Sequence, residues 1–198
     1  MRLASWKNWS LGLAMVSLMT GAACAQSLAG VTTTLDHTLE SKSVAPGQTV
    51  TAKLTGSLKA DGLDLLRGTE LVGKIAEVKA AQNGTPASVS VVFTTAKLKN
   101  GKEVPVKATV ISVYPQSAGD GVEGSGVTMA EAPRQVPLDG TYDQEPGALS
   151  HVTMKSAVKS SDSATFSSND NFRLPAGTFL QLGVGAANAS GSETTAAE

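Results

Sequence analysis

The sequence predicts an all-β chain: a single antiparallel β-barrel or barrel-like sandwich, interrupted by one long excursion rich in glycine and proline. Three observations carry this. Apolar and polar residues alternate with a period of two in several short runs, the mark of strands with one face buried. Thr, Val, Ser and Gly are abundant, while long amphipathic helical patterns are scarce. Three strand starts also share one glycine-bearing turn, described below.

The first run places Val31, Thr33, Leu35, His37 and Leu39 on one face, with Asp36 and Glu40 on the other. The next alternates Val50, Ala52 and Leu54 with Thr51, Lys53 and Thr55. Residues 70–78 continue the theme, with Gly73 where a strand bends or packs closely against a neighbour. Near the end come Val152, Met154 and Val158, then a last strand over residues 179–184. Three turns lead into strands: Pro46-Gly47 at the centre of a type II turn, and two copies of Leu-x-x-Gly-Thr-x-Leu, at Leu65 and at Leu174. In each copy the glycine supplies a left-handed kink before extended chain begins.

Asn100-Gly101 predicts a hairpin between residues 87–98 and 103–114, since Asn-Gly favours a two-residue type I′ turn. That closure pairs Lys99 with Lys102, and then Thr95 with Val106, Phe93 with Ala108 and Val91 with Val110, the last six residues sharing one face. Ser90, Val92, Thr94, Lys107, Thr109 and Ile111 form the more polar face. Pro105, opposite Ala96, lacks an N–H and marks an edge or a bulge.

Residues 115–147 are expected to form a surface excursion that buries little, punctuated by Pro115, Pro133, Pro137 and Pro146. Residues 185–198 are small and polar, and are expected to be a disordered tail. The predicted organisation is a leader at 1–25, a β domain at 26–184 and that tail.

The leader carries Arg2 and Lys7, an apolar run over residues 11–23, and Ala23-Cys24-Ala25, which fits a secretory signal peptide cut after Ala25. The run is shorter than the roughly 20 residues of a membrane span, and no later stretch is apolar enough, so no transmembrane span is expected in the mature chain. The expected location is periplasmic or extracellular. A second reading takes Gly21-Ala22-Ala23-Cys24 as a lipoprotein box with acylation at Cys24, although Gly21 stands where leucine is usual. Cutting after Ala25 removes Cys24, Trp6 and Trp9, leaving neither cysteine nor tryptophan. It also leaves 14 basic residues against 17 acidic ones, a net charge of −3, which disfavours a nucleic-acid partner.

Residues 65–113 resemble the core of TrbI-like β-barrels, the outer-membrane core component of type IV secretion and conjugation machines. The resemblance rests on Leu66-Arg67-Gly68-Thr69-Glu70-Leu71-Val72-Gly73, the turn Gln82-Asn83-Gly84, Val89-Ser90-Val91-Val92-Phe93 and Leu98-Lys99-Asn100-Gly101-Lys102-Glu103-Val104. The layout, with residues 174–182, is also similar to that of uncharacterised exported bacterial proteins. The family's pore uses an amphipathic helical pair, and residues 119–146 hold no apolar helices to match it. The family's proline-rich, inner-membrane-anchored arm has no counterpart either. The resemblance therefore implies a barrel-like fold in the cell envelope and gives little support to a secretion pore.

Candidate chemistry is sparse. His37 and His151 are the two histidines, too isolated in sequence for a zinc site that needs three or four ligands. His37, between Leu35 and Leu39, is expected to be packed or hydrogen-bonded. His151 follows Ser150, but no Gly-x-Ser-x-Gly elbow presents a nucleophile. Gly119-Asp120-Gly121-Val122-Glu123-Gly124 spells a dinucleotide fingerprint without the following helix that would receive a pyrophosphate. Asp139, Asp143 and Glu145 lack EF-hand spacing and read as a solvated turn. Few aromatics are available to stack sugars; Phe93 and Phe179 are expected in the core. No catalytic, cofactor-binding or metal-ligating residue is assigned, and no cofactor is expected. The expected function is a non-enzymatic, exported structural or protein-interaction module of the cell envelope, with an envelope protein as partner. The alternatives are a small-ligand or polysaccharide binding protein, and a hydrolase that uses Asp139, Asp143 or His151.

Overall fold

A computed structural model describes residues 27–60, 62–116, 131–144, 149, 151–158 and 163–187. The expected leader at residues 1–25 with Cys24, the Gly119–Gly124 motif, Glu145, Ser150 and residues 188–198 lie outside the described residues.

Among the described residues there are strands and no α-helix. The strands are β1 (Ser27–Leu35), β2 (Leu39–Glu40), β3 (Thr49–Leu54), β4 (Leu58–Ala60), β5 (Leu63–Leu65), β6 (Glu70–Lys79) and β7 (Ala87–Lys97). They continue as β8 (Glu103–Tyr114), β9 (Val136–Pro137), β10 (Thr141–Gln144), β11 (Thr153–Ala157), β12 (Ser163–Ser168), β13 (Arg173–Leu174) and β14 (Phe179–Ala186). Six of them close an antiparallel barrel in the order β1, β3, β6, β7, β8, β14 and back to β1. Closure removes the free edges an open sheet would present. Helix is absent among the described residues because the apolar period is two, so only extended chain gathers these side chains on one side.

That alternation fills the barrel. Val31, Thr33 and Leu35 of β1, Val50, Ala52 and Leu54 of β3, and Leu71 and Ile75 of β6 point inward and are buried. Val91 and Phe93 meet them from β7, Val106, Ala108 and Val110 from β8, and Leu180, Leu182 and Val184 from β14. Phe93 lies directly over Gly73, where a Cβ would stand 2.8 Å from the Phe93 Cδ1 and 2.5 Å from the Val92 carbonyl oxygen. A bulge between Val72 and Gly73 makes that close approach. The interior cavity lined by Leu35, Val50, Phe93, Phe166 and Leu180 is only about 10 Å³, so the core is closely packed around these side chains. Phe179 is half-buried rather than core, because it alternates with the inward-facing Leu180 and so lies on the outer face; Phe166 and Phe172 fill the interior instead.

The three similar turns are one closing device. Each is a type II turn with glycine at a φ of +83 to +85°: Gly47, Gly68 and Gly177. In each, the glycine N–H donates to a carbonyl on a neighbouring strand: Ile75 for Gly47 (2.8 Å), Leu54 for Gly68 (2.8 Å) and Leu35 for Gly177 (2.7 Å). The same three residues donate back, to Gln48, Thr69 and Thr178 at 2.8–2.9 Å. Two reciprocal bonds thus fasten each corner, and the fastened residue is buried each time.

The hairpin between β7 and β8 departs from its expected form. Gly101 alone takes positive φ (+81°), and Leu98 N–H donates to the Lys102 carbonyl across a three-residue loop. This is a type I turn with a bulge glycine, supported by the Asn100 Oδ1 accepting from Lys102 N–H at 3.0 Å. The type I′ turn belongs to Asn83-Gly84, with φ values of 48° and 80°. The extra loop residue shifts the register near the turn, so Thr95 faces Pro105 and Ala96 faces Val104. A bulge between Phe93 and Thr95 then restores the expected Phe93–Ala108 pair. Ala96 consequently takes the buried position expected for Thr95. Pro105 sits beside that bulge, one residue before the pairing with β14 begins at Val106. Val91 does not meet Val110: past Phe93 the two strands diverge, and β12 pairs with residues 87–92 of β7.

β12, β11 and β10 continue outward from β7 as an antiparallel flap. Met154, Ala164 and Phe166 on its inner face join the barrel core. The more polar face of β8 is covered as well, so that Thr109 and Ile111 are buried. The excursion is not all surface chain, since β9 and β10 lie within it and Val136 is fully buried. Gly185 and Ala186, assigned to the tail, extend β14.

Candidate interaction site

The most unusual structure lies where the 131–144 segment crosses the outside of the barrel. Gly30 of β1 and Gly183 of β14 are directly paired, which leaves a bare patch of backbone on the wall. A Cβ on Gly30 would stand 1.8 Å from the Pro133 carbonyl oxygen, and one on Gly183 would stand 2.8 Å from the Val136 Cγ1. The segment sits in this saddle as a strap. Beneath it Leu28, Ile111, Val136 and Val158 form a second small apolar cluster, with Leu138 and Tyr142 packed at its margin. The strap is tied at one end by β9, which pairs only Val136 and Pro137 with Leu28 and Ser27. Thr109 is fully buried, and its Oγ1 has no hydrogen-bond partner among the described residues.

β10 completes the strap and brings it to the outer half of β8. Its backbone pairs with β11, from Thr141 opposite Ala157 to Gln144 opposite Met154. Toward β8 the junction is made by side chains. The Val113 N–H donates to Gln144 Oε1 at 2.6 Å, and Gln144 Nε2 donates to the Val113 carbonyl at 2.7 Å. One carboxamide therefore satisfies both backbone groups, as a peptide unit of an adjacent strand would. The Ser156 hydroxyl donates to the Val110 carbonyl nearby. Asn171 repeats the device on the Ala81 backbone, accepting at 3.1 Å and donating at 3.5 Å. No residue of β10 is fully buried. Burial, and then the charge of Asp139, push the Tyr142 phenol above its ordinary range.

The residues weighed for chemistry stand apart. His37 is exposed rather than on the apolar face, because β1 ends at Leu35 and the chain bends at Asp36. Its Nε2 lies 3.4 Å from the Asp36 carboxylate. His151 is exposed in a turn with a φ of +64°, and no ion pair joins it to a carboxylate among the described residues. Asp143 projects outward from β10, and Asp139 lies in the turn that precedes it. Among the described residues, no three His, Cys, Asp or Glu side chains group as a metal site, and no helix is long and apolar enough to cross a membrane.

The clearest charge cluster flanks the rim of β1, β3 and β6. Lys53 Nζ lies 2.7 Å from Asp36 Oδ1 and 3.7 Å from Glu70 Oε1. The hydrogen bond from Lys53 holds the Asp36 carboxyl below its ordinary range. A depressed folded-state value means the pair stabilises above the unfolded value, and that contribution is lost as pH falls through the lower folded one. Replacing Lys53→Gln is expected to raise the Asp36 titration midpoint, measured by side-chain NMR in acid. An unmoved midpoint would show that the cause lies elsewhere.

No protein-family model matches the chain, and neither does any curated protein or solved structure. The barrel and its strap are thus the starting point for function.

Proposed function

We propose that the chain is a non-enzymatic, exported module of the bacterial cell envelope that binds another protein through the strap and the outer edge of β8. The leader motif and the TrbI-like layout of residues 65–113 support the location. The observation that carries the binding role is the Gln144–Val113 junction, where a strand edge is covered by one side chain instead of a backbone ladder. Leu66, 55 % exposed, is the one exposed large hydrophobic side chain among the described residues, so these offer no broad apolar contact surface. A strand edge, which binds through backbone hydrogen bonds, needs none. The interior cavity lined by Leu35, Phe93, Phe166 and Leu180, at about 10 Å³, has no room for a small ligand, which supports this role over ligand binding there.

The test is crosslinking of the tagged chain in intact envelopes, followed by identification of what is captured. One defined protein in crosslinked complex is expected. Recovery of the chain alone and monomeric overturns the reading.

A further inference from the structure

We infer that β10 is an exchangeable strand, occupying a slot between β8 and β11 that takes an extended segment of the protein partner. The inference rests on the reading of the chain as an interaction module. On one side of the slot, β11 offers the backbone edge that now pairs with residues 141–144. On the other, β8 offers the Val113 N–H and carbonyl, now held by the Gln144 carboxamide. The β11 wall is thus arranged for extended chain and the β8 wall for one carboxamide, and the resident is weakly kept. β10 is four residues long with alternating exposed and half-buried positions, whereas β11 and β12 insert Met154, Ala164 and Phe166 into the barrel core. Opening the slot therefore costs the contacts of β10 and leaves the core in place.

The fitting occupant follows from the same geometry. It is an extended segment antiparallel to β11, small or polar on its outer face, with a Gln or Asn directed at Val113. The alternation of Thr141, Tyr142, Asp143 and Gln144 is the template for that pattern. A charged side chain at the Gln144 position cannot both accept from the N–H and donate to the carbonyl.

Two measurements on the full mature chain test this. In hydrogen exchange, the Val113 amide is expected to exchange about 100-fold faster than that of Leu35, which is bonded into a glycine corner. Gln144→Ala is expected to speed Val113 about fivefold further and leave Leu35 unmoved. Exchange of Val113 at the Leu35 rate in both proteins overturns the inference. The second measurement locks β10 with Thr141→Cys and Ala157→Cys, which are directly opposite and within disulfide reach. Envelope crosslinking is expected to capture the partner with the reduced protein and to lose it when the disulfide forms. Equal capture by both forms overturns the slot but leaves the interaction module standing. Capture by neither form overturns the interaction module, and the exchange data still decide whether β10 opens.

Discussion

Replacing Phe93→Ala is expected to destabilise the barrel by about 3–5 kcal/mol, a large share of the roughly 5–15 kcal/mol of a typical domain. Phe93 is 2 % exposed and is among the largest fully buried side chains. It closes the interior cavity with Val91, Phe166 and Leu180, and it covers Gly73. Truncation removes the ring from contact with β6, β12 and β14 together. The opposing wall is backbone at Gly73, which cannot swing in to fill the void, so most of the cavity cost remains. Urea unfolding checks this: the midpoint should fall with an unchanged slope. A loss under about 1.5 kcal/mol would mean that the site collapses readily and that the core is not centred on this ring.

Gly30→Ala is expected to drive the strap off the barrel, at a cost of about 1–3 kcal/mol. The new methyl would fall 1.8 Å from the Pro133 carbonyl oxygen. That obstacle is backbone, so relief requires the segment to lift, which uncovers Leu28 and Ile111. Limited proteolysis should then cut within residues 131–144, and hydrogen exchange should rise there while the ring stays protected. Gly56→Ala is the matched control. Nothing lies within 4 Å of its added carbon and its φ is not positive, so stability should hold or rise slightly. A Gly30→Ala protein with an intact, protease-resistant strap would refute the saddle.

The barrel was legible in the sequence because strand faces leave a direct trace. The alternation in Val50-Thr51-Ala52-Lys53-Leu54 and the paired Leu-x-x-Gly-Thr-x-Leu segments are local signals, and the structure uses them as read. Turn type was less accessible. Two Asn-Gly dipeptides occur, and one forms the type I′ turn while the other uses a bulge glycine. The dipeptide permits both; the pairing of the flanking strands decides between them. His37 was misplaced for a similar reason, since alternation was extended through a bend that the chain makes at Asp36. The strap was illegible. Gly30 and Gly183 mean nothing singly, and only their pairing across the wall turns two glycines into a seat. Gln144 carries no spacing signal, because its role depends on a backbone edge left open by the divergence of β7 and β8.

The ring has a consequence for how the polypeptide folds. β1 completes the wall only beside β14, and the Thr33 hydroxyl bonds the Leu180 carbonyl across 147 positions. The flank of β1 that faces β14 therefore stays unmatched until the segment carrying β14 is available to pair. Hairpins such as β6–β7 can form early, but the cylinder waits for β14 to pair with both β1 and β8, and a chain cut short of Phe179 cannot close.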